Sequence, residues 1–508
     1  MDRIIVLDFG GQYCHLISRR IRDFGVYSEV LPPSVKRKDL ERIEGLRGIV
    51  FSGGAASVYD KDSPRCERGI LETGIPILGI CYGHQLIADL EGGKVILGKV
   101  GEYGVTELRV RGKSEILRGI GRETKVWMNH RDVVQELPEG YRIVASTPAS
   151  KIAAFENPEK RIYGVQFHPE VTHTEKGKQI LRNFVFGICR AKRGWSMKNF
   201  IQNSVEEAKQ RIGGRRAIIG LSGGVDSSTA AILVSRAIGK NLTAVYVDTG
   251  LMRYRETKFI RRVFSGYDLN LRIVNARERF FRKLKGVRKP EEKRRIIGRL
   301  FVEIFEEIAR EEGAEVLVQG TIYPDRIESG VTKYSSKIKS HHNVGGLPER
   351  MRLEVYEPLR DLYKDEVREI ARKLGLPREI IHRHVFPGPG LAVRVVGEVT
   401  PKKVEIVRRA SHIIEEELKE AGLYEKVWMG FAVLLPVKNV GIQGDARTYR
   451  YPMVVRIIES KDAMTANFSR IPYGVLEKIS SRITNEIREV NRVVYDITNK
   501  PPATMEWE

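Results

Sequence analysis

Short, uninterrupted apolar runs recur along the chain. Residues 4–7 (IIVL), 48–51 (GIVF), 76–80 (PILGI), 217–221 (AIIGL), 242–247 (LTAVYV) and 316–318 (VLV) are each bounded by turn or polar residues. Runs of this length without polar alternation predict strands buried on both faces, as in parallel sheets. Helix-like stretches follow several of them, among them 229–234 (TAAILV). Strands alternating with helices predict an α/β architecture with doubly wound sheets. The apolar pattern lapses over 189–196 (CRAKRGWS), which sets a domain boundary near Gly194. Residues 197–213 then predict a helix leading into the strand at 217–221.

Residues 222–228 read SGGVDSS, directly after that strand. Gly223 and Gly224 let the backbone turn tightly with no side chain in the way. Asp226, Ser227 and Ser228 suit a helix N-terminus. A strand, a glycine turn and a helix start together present N–H groups and a helix dipole to an anion, for which a phosphate is the best fit. No Gly-Lys-Ser/Thr follows the glycines, so this is not a Walker A loop. An ordinary glycine turn would explain a lone SGG, but all seven residues in this setting favour the phosphate. The segment resembles the PP-loop of enzymes that split ATP into AMP and pyrophosphate. The resemblance implies that Ser222, Gly223, Gly224, Val225, Ser227 and Ser228 bind ATP phosphates. It also implies that Asp226 helps to hold Mg2+, making ATP and Mg2+ the expected cofactors. Asp248 ends the next strand, and in the family the segment matching 247–250 (VDTG) lies near the adenosine. Strand C-terminal ends at a switch point are where such sheets bind nucleotides.

Residues 76–86 (PILGICYGHQL) predict a strand, a sharp turn at Cys81 and a helix starting near His84. Small residues at Gly79 and Gly83 flank the cysteine, as a nucleophile elbow requires. A thiol at a helix N-terminus is favoured as the thiolate, although a lone cysteine is more often a buried structural one. Residues 162–170 (IYGVQFHPE) end a strand in His168-Pro169-Glu170. A histidine there can take the thiol proton, and a carboxylate two residues on can orient the imidazole. The pairing of GICYGHQ with QFHPE resembles the class I glutamine amidotransferases. That resemblance implies a Cys81, His168, Glu170 triad and an oxyanion and glutamine site at Gly53, Gly54, Tyr82 and Gln85. Two departures are visible: Ala55 stands where the family usually has proline, and His84 where it usually has methionine. His84 reads as a packing variant rather than a second base. Residues 129–132 (NHRD) match a substrate-side loop of the family.

Residues 319–325 (QGTIYPD) open a long polar stretch reaching Pro348, with Lys333, Lys337, Lys339, His341 and His342. A loop this long is expected to be a lid or disordered, and its cations suit charge neutralisation over a triphosphate. A metal site at His341-His342 is the rival reading. Adjacent residues seldom face one ion, and no acidic or cysteine partner is spaced for it. Residues 384–391 (HVFPGPGL) make a rigid turn suited to the wall of a binding site. Residues 500–508 (KPPATMEWE) are too rigid and too aromatic for a solvating tail.

These segments, with 339–348 (KSHHNVGGLP), 386–394 and 441–448 (GIQGDART), resemble in order the family of glutamine-hydrolysing GMP synthetases. The resemblance implies a class I amidotransferase (flavodoxin-like) domain at 1–194 and a doubly wound PP-loop ATP pyrophosphatase domain at 195–385. A small α+β C-terminal dimerisation and XMP-binding domain follows at 386–508. XMP would be adenylated at its C2 oxygen, and ammonia would then displace AMP. Positions matching family XMP contacts are Arg294, Lys500 and Glu506, with Pro387 and Gly388 near the nucleotide and Lys339, His341 and His342 in the lid. Cations would meet phosphate and carbonyl oxygens, and Glu506 would accept from purine N–H groups. Residues 449–453 (YRYPM) depart from the family's usual continuation after GDxRTY, which bears on interface detail only.

Composition narrows the alternatives. The 508 residues carry a formal net charge of +22, which nucleic acid or polyphosphate-bearing small molecules could explain. Surface ion-pair networks of a heat-tolerant protein would also raise the Lys, Arg and Glu content. A sulfur-transferring tRNA enzyme of the PP-loop class needs a cysteine in that half, but Cys14, Cys66, Cys81 and Cys189 all precede it. No stacking-aromatic and basic interleave typical of RNA modules stands out. An inactive amidotransferase-like regulator is the other alternative, and the intact Cys81, His168 and Glu170 argue against it. No apolar stretch is long enough to span a membrane, and residues 1–7 lack a signal-peptide layout. The expectation is a cytoplasmic homodimer acting on XMP, ATP and glutamine or ammonia, without nucleic acid or membrane partners.

Overall fold

The structure is a computed structural model that describes residues 1–323, 325, 353–460 and 465–508. Lys339, His341 and His342, the expected lid residues, lie outside the described residues, as do Lys333 and Lys337. The chain forms two compact units, Met1–Phe200 and Ile201–Glu508.

The first unit is built on a nine-stranded sheet. Its strands are β1 (Arg3–Leu7), β2 (Tyr27–Leu31), β3 (Leu46–Phe51), β4 (Ile77–Ile80), β5 (Lys94–Val110), β6 (Glu123–Glu136), β7 (Arg142–Ser146), β8 (Ala154–Asn157) and β9 (Ile162–Val165). Their spatial order is β2-β1-β3-β4-β9-β8-β7-β5-β6. The segment from β2 to β9 is parallel. The remaining pairings are antiparallel. The parallel strands show why their sequences are apolar without alternation. Ile4, Val6, Val50, Leu78 and Ile80 enter a core on one face of the sheet. Ile5, Leu7, Ile49, Phe51 and Ile77 enter a second core on the other. Helices cover both faces, so each side chain of the run is removed from water, stabilising the fold by about 1.5–3 kcal/mol for each large one.

The second unit carries two sheets. One is fully parallel: β10 (Ala217–Gly220), β11 (Leu242–Asp248), β12 (Asn270–Asn275), β13 (Val316–Val318) and β14 (Glu354–Tyr356), in the order β12-β11-β10-β13-β14. The chain runs outward from β10 to β12, then returns to the other side of β10 for β13 and β14. The gap between the C-terminal ends of β10 and β13 is therefore a topological switch point. The other sheet contains β15 (Met429–Leu434), β16 (Asn439–Gln443), β17 (Ala446–Glu459), β18 (Asn467–Phe468) and β19 (Val490–Tyr495). Long β17 pairs antiparallel with β15, β16 and β18 and parallel with β19. Helices Pro401–Glu420 and Tyr473–Glu486 pack on this sheet, and one core joins Ile218 and Val245 through Ile304 to Leu391, Ile413 and Ile457. Among the described residues, no helix is long and apolar enough to cross a membrane.

Candidate functional site

In the first unit, Cys81 sits between β4 and the helix Tyr82–Leu90 with φ of 53°, a left-handed conformation rare outside glycine. The helix begins directly after the cysteine rather than near His84. Such a backbone costs about 1–3 kcal/mol and persists only where its surroundings impose it. Here the Cys81 N–H donates to Val165 O (2.9 Å) and the Gly83 N–H to Ser52 O (3.1 Å). A Cβ on Gly79 would stand 2.5 Å from Gly83 O, and one on Gly83 would stand 2.4 Å from Phe51 O. Backbone meets backbone at both positions, so the turn admits only glycine there.

His168, just beyond β9, places Nδ1 2.7 Å from Glu170 Oε1. Its Nε2 is buried and faces the Cys81 side chain. Burial alone would push the imidazole pKa down; the Glu170 carboxylate and the Cys81 side chain outweigh it and hold it well above the usual histidine range. The ring is held further by the edge of Tyr13, 5.1 Å between centroids. Thr174 donates to His168 O at 2.6 Å, and Arg20 to Glu170 O at 3.1 Å. Gly53 closes the group: a Cβ there would stand 3.1 Å from His168 Cε1 and 3.6 Å from Cys81 Cβ. A Cβ on Gly54 would meet Phe9 O at 2.6 Å and the Tyr82 ring at 3.1 Å. A thiol, an imidazole, a buried carboxylate and a close glycine loop thus converge, an arrangement able to carry out acyl transfer. Gln85 is buried behind the cysteine and donates to Asp132 O (2.8 Å) and Gln166 Oε1 (3.2 Å). His84 is fully buried and stacked on Phe155 at 4.5 Å. Burial pushes its pKa down to about 3, so it stays neutral. Ala55 is exposed.

In the second unit, the 222–228 loop follows β10 at the switch point and enters the helix Val225–Ile238. Gly223 has φ of 75°. The Gly224 N–H donates to Ser222 Oγ (3.3 Å), Ser222 Oγ lies 3.0 Å from Ser227 Oγ, and Ser228 donates to Gly224 O at 2.7 Å. Gly320, just past β13, abuts the loop: a Cβ there would stand 3.0 Å from Ser227 N. Asp226 Oδ2 accepts from Lys364 Nζ at 2.5 Å, while its Oδ1 is buried with no partner. A carboxylate oxygen turned inward and unbonded, beside a phosphate-type loop, fits a divalent cation. Asp248 is committed within the protein, accepting from Thr257 (2.7 Å), Arg277 (2.8 Å) and the Gly250 N–H (3.0 Å). Burial opposes its charge, but these donors outweigh burial and hold its carboxyl below the usual range.

Arg294, on the helix Pro290–Glu311, donates to the main-chain oxygen of Glu508. Glu506 receives the fork of Arg394 at 3.0 and 2.8 Å. Lys500 is anchored by paired main-chain bonds with Ala466 (2.7 and 3.1 Å). Pro387 and Gly388 lie in a turn closed by the Gly390 N–H on Pro387 O (2.9 Å) and tied to the segment following β11 by the Leu391 N–H on Leu251 O (2.8 Å). The sequence reading missed the residues that hold these parts together. Lys293, fully buried, bonds Val395 O (2.8 Å) and the Glu508 carboxylate. Arg456, also fully buried, bonds Asp496 (2.7 Å) and Thr504 O (2.8 Å). Arg383 forks onto Glu256 (2.7 and 2.5 Å) and donates to Gly223 O at 3.1 Å, behind the phosphate loop. Lys364, Lys293 and Arg383 lie among many other cations of a basic chain, and no local spacing marks them.

A cysteine amidotransferase unit joined to an ATP-pyrophosphatase unit defines a glutamine-dependent amidating ligase. Residues 5–188 match the class-I glutamine amidotransferase family, residues 195–278 the NAD synthase family and residues 416–507 the GMP synthase C-terminal domain. The chain is 52% identical over 506 residues to a glutamine-hydrolysing GMP synthase of Aquifex aeolicus, covering 99% of each. It is 52% identical to that of Caldanaerobacter subterraneus and 53% identical to that of Symbiobacterium thermophilum, covering 100% of this chain and 99% of the relative in both cases. The chain belongs to the family of glutamine-hydrolysing GMP synthases.

Proposed function

We propose that this chain makes GMP from XMP, ATP and glutamine, with Cys81, His168 and Glu170 as the glutaminase triad and residues 222–228 as the ATP phosphate site. His168 Nε2 takes the Cys81 proton, and the sulfur attacks the glutamine carboxamide carbon. Main-chain N–H groups at Gly53, Gly54 and Tyr82 stabilise the tetrahedral oxyanion. The C–N bond breaks as His168 returns the proton to the leaving ammonia, and water, deprotonated by His168, hydrolyses the thioester to glutamate. In the second unit the C2 oxygen of XMP attacks the α-phosphorus of ATP and pyrophosphate leaves. Ammonia then attacks C2 and AMP departs, leaving GMP. Asp226 would hold Mg2+, which supplies charge neutralisation on the leaving pyrophosphate when bound. Lys364 and the loop N–H groups act on the same charge. Arg294, Lys500 and Glu506, with the 387–388 turn, would bind XMP.

The organisation proposed is an amidotransferase domain at 1–194, a synthetase domain at 195–385 and a dimerisation domain at 386–508, in a cytoplasmic homodimer. The observation that supports the reading most is the convergence of Cys81, His168 and Gly53 in a chain of this family. Product analysis with XMP, Mg-ATP and glutamine tests it. Equal yields of GMP and AMP with little ADP are expected. AMP without GMP would move the acceptor away from XMP, and no AMP at all would remove the phosphate-loop reading.

A further inference from the structure

The Cys81 sulfur meets two protein groups besides His168. The main-chain oxygen of Asn129, on β6, lies 3.7 Å from Sγ and can accept the S–H. Gln166 Nε2 lies 3.8 Å from the same sulfur. A short chain of hydrogen bonds decides which end of the Gln166 amide faces it. The carbonyl of Asp132 can only accept, so the Gln85 atom 2.8 Å away must be its NH2 nitrogen. That NH2 stands 3.2 Å from the Gln166 amide, which must therefore turn its oxygen toward Gln85. The NH2 of Gln166 is left facing the sulfur. Gln166 and Gln85 are 0% and 3% exposed, so solvent offers neither amide an alternative partner. The anchor is itself fixed: the Asp132 carboxylate accepts from Ser57 (2.5 Å) and Tyr59 (2.9 Å).

We infer that Gln166 is a further catalytic residue of the glutaminase reaction, holding the Cys81 thiolate with its amide N–H, and that Gln85 positions it by setting the polarity of that amide. The inference rests on Cys81 being the glutaminase nucleophile. In the thiol form the S–H points to Asn129 O and the sulfur needs no donor. Once His168 has taken the proton, the anion faces a carbonyl oxygen with which it can make no hydrogen bond. The Gln166 N–H then donates to the anion alongside the His168 imidazolium, and a hydrogen bond to a charged acceptor is about twice as strong as a neutral one. When the sulfur is acylated the charge is gone and the contact weakens, so it favours the reactive state specifically. The titratable groups around the sulfur are His168 with Glu170 behind it, Tyr13 against the His168 ring, Asp132 behind Gln85, and His130 with Glu102 beyond Asp132. None of them offers the thiolate an uncharged N–H in place of Gln166.

The test uses the full chain, with iodoacetamide as the thiol probe and the labelled cysteine mapped by peptide mass. Gln166→Leu should slow Cys81 alkylation at neutral pH by about tenfold to a hundredfold. It should also displace the rate profile to higher pH while preserving the alkaline plateau, and lower kcat for glutamine hydrolysis with little change in KM. Gln85→Met should act in the same direction, and adding it to Gln166→Leu should cost little more. If Gln166→Leu fails to fold, judged by loss of ammonia-dependent synthesis, Gln85→Met carries the same pH test. An unmoved profile in the folded variant would make Gln166 a packing residue and overturn the inference while leaving the nucleophile intact. Glutaminase activity surviving in Cys81→Ala would overturn the nucleophile reading itself.

Discussion

His168 Nδ1 and Glu170 Oε1 stand 2.7 Å apart with both side chains almost wholly removed from solvent. Because the folded pKa of His168 is raised, the pair stabilises the fold fully below the unfolded histidine value of about 6.5. The contribution is lost as pH rises through the raised folded value. Glu170→Gln removes it. The difference in Tm between wild type and variant should be largest in acid to neutral solution and shrink in alkali. A difference independent of pH would mean that His168 is neutral in the folded protein. Glutaminase kcat/KM should fall about 10²–10⁴-fold in the same variant.

Cys81→Ala should abolish glutamine-dependent GMP formation and leave ammonia-dependent formation within about twofold, since the substituted atom lies in the first unit and the adenylation residues in the second. Assay of GMP with each nitrogen source decides it. Loss of both together would contradict separate chemistry in the two units.

The Asp226–Lys364 contact places one anion and one cation at the mouth of the phosphate loop. Lys364→Met should lower AMP release with XMP, Mg-ATP and ammonia by about a hundredfold or more, the scale on which a single transition-state donor acts. Asp226→Asn should lower it too and raise the Mg2+ concentration needed for half-maximal rate. Alkylation of Cys81 should be unchanged in both variants.

Lys293 is buried with the Glu508 carboxylate, and burial pushes its pKa below the lysine range against the pull of Glu508. Lys293→Met strands that carboxylate without a cation and should destabilise the second unit by about 3–5 kcal/mol, read as a fall in its Tm. Adding Glu508→Gln should recover part of the loss. Equal Tm for the single and double variants would show that the two groups do not act as a pair.

Much of this molecule was legible in the chain because local physics leaves local marks. A strand covered on both faces must be apolar at every position, so 4–7 and 48–51 declared themselves. A residue whose Cβ would stand 2.4–2.5 Å from a backbone oxygen must be glycine, so Gly79 and Gly83 marked the elbow around Cys81. Only Pro169 separates His168 from Glu170, and the 222–228 loop is contiguous, so both read directly. The start of the elbow helix was less legible, since Tyr82 and Gly83 carry no capping signal and His84 was the first residue that looked helical.

What the tertiary structure alone decided are the pairings across long sequence separations. Lys364 reaches Asp226 from 138 positions away, Arg383 reaches Glu256 from 127, and Gln166 reaches Cys81 from 85. Each depends on strand order: β13 and β14 returning past β10, or β9 lying beside β4. Periodicity and backbone sterics act over a few residues, so they determine elements and turns. Which cation meets which anion is set by how those elements stack, and in a chain with 87 lysines and arginines no local pattern singles out the few that do.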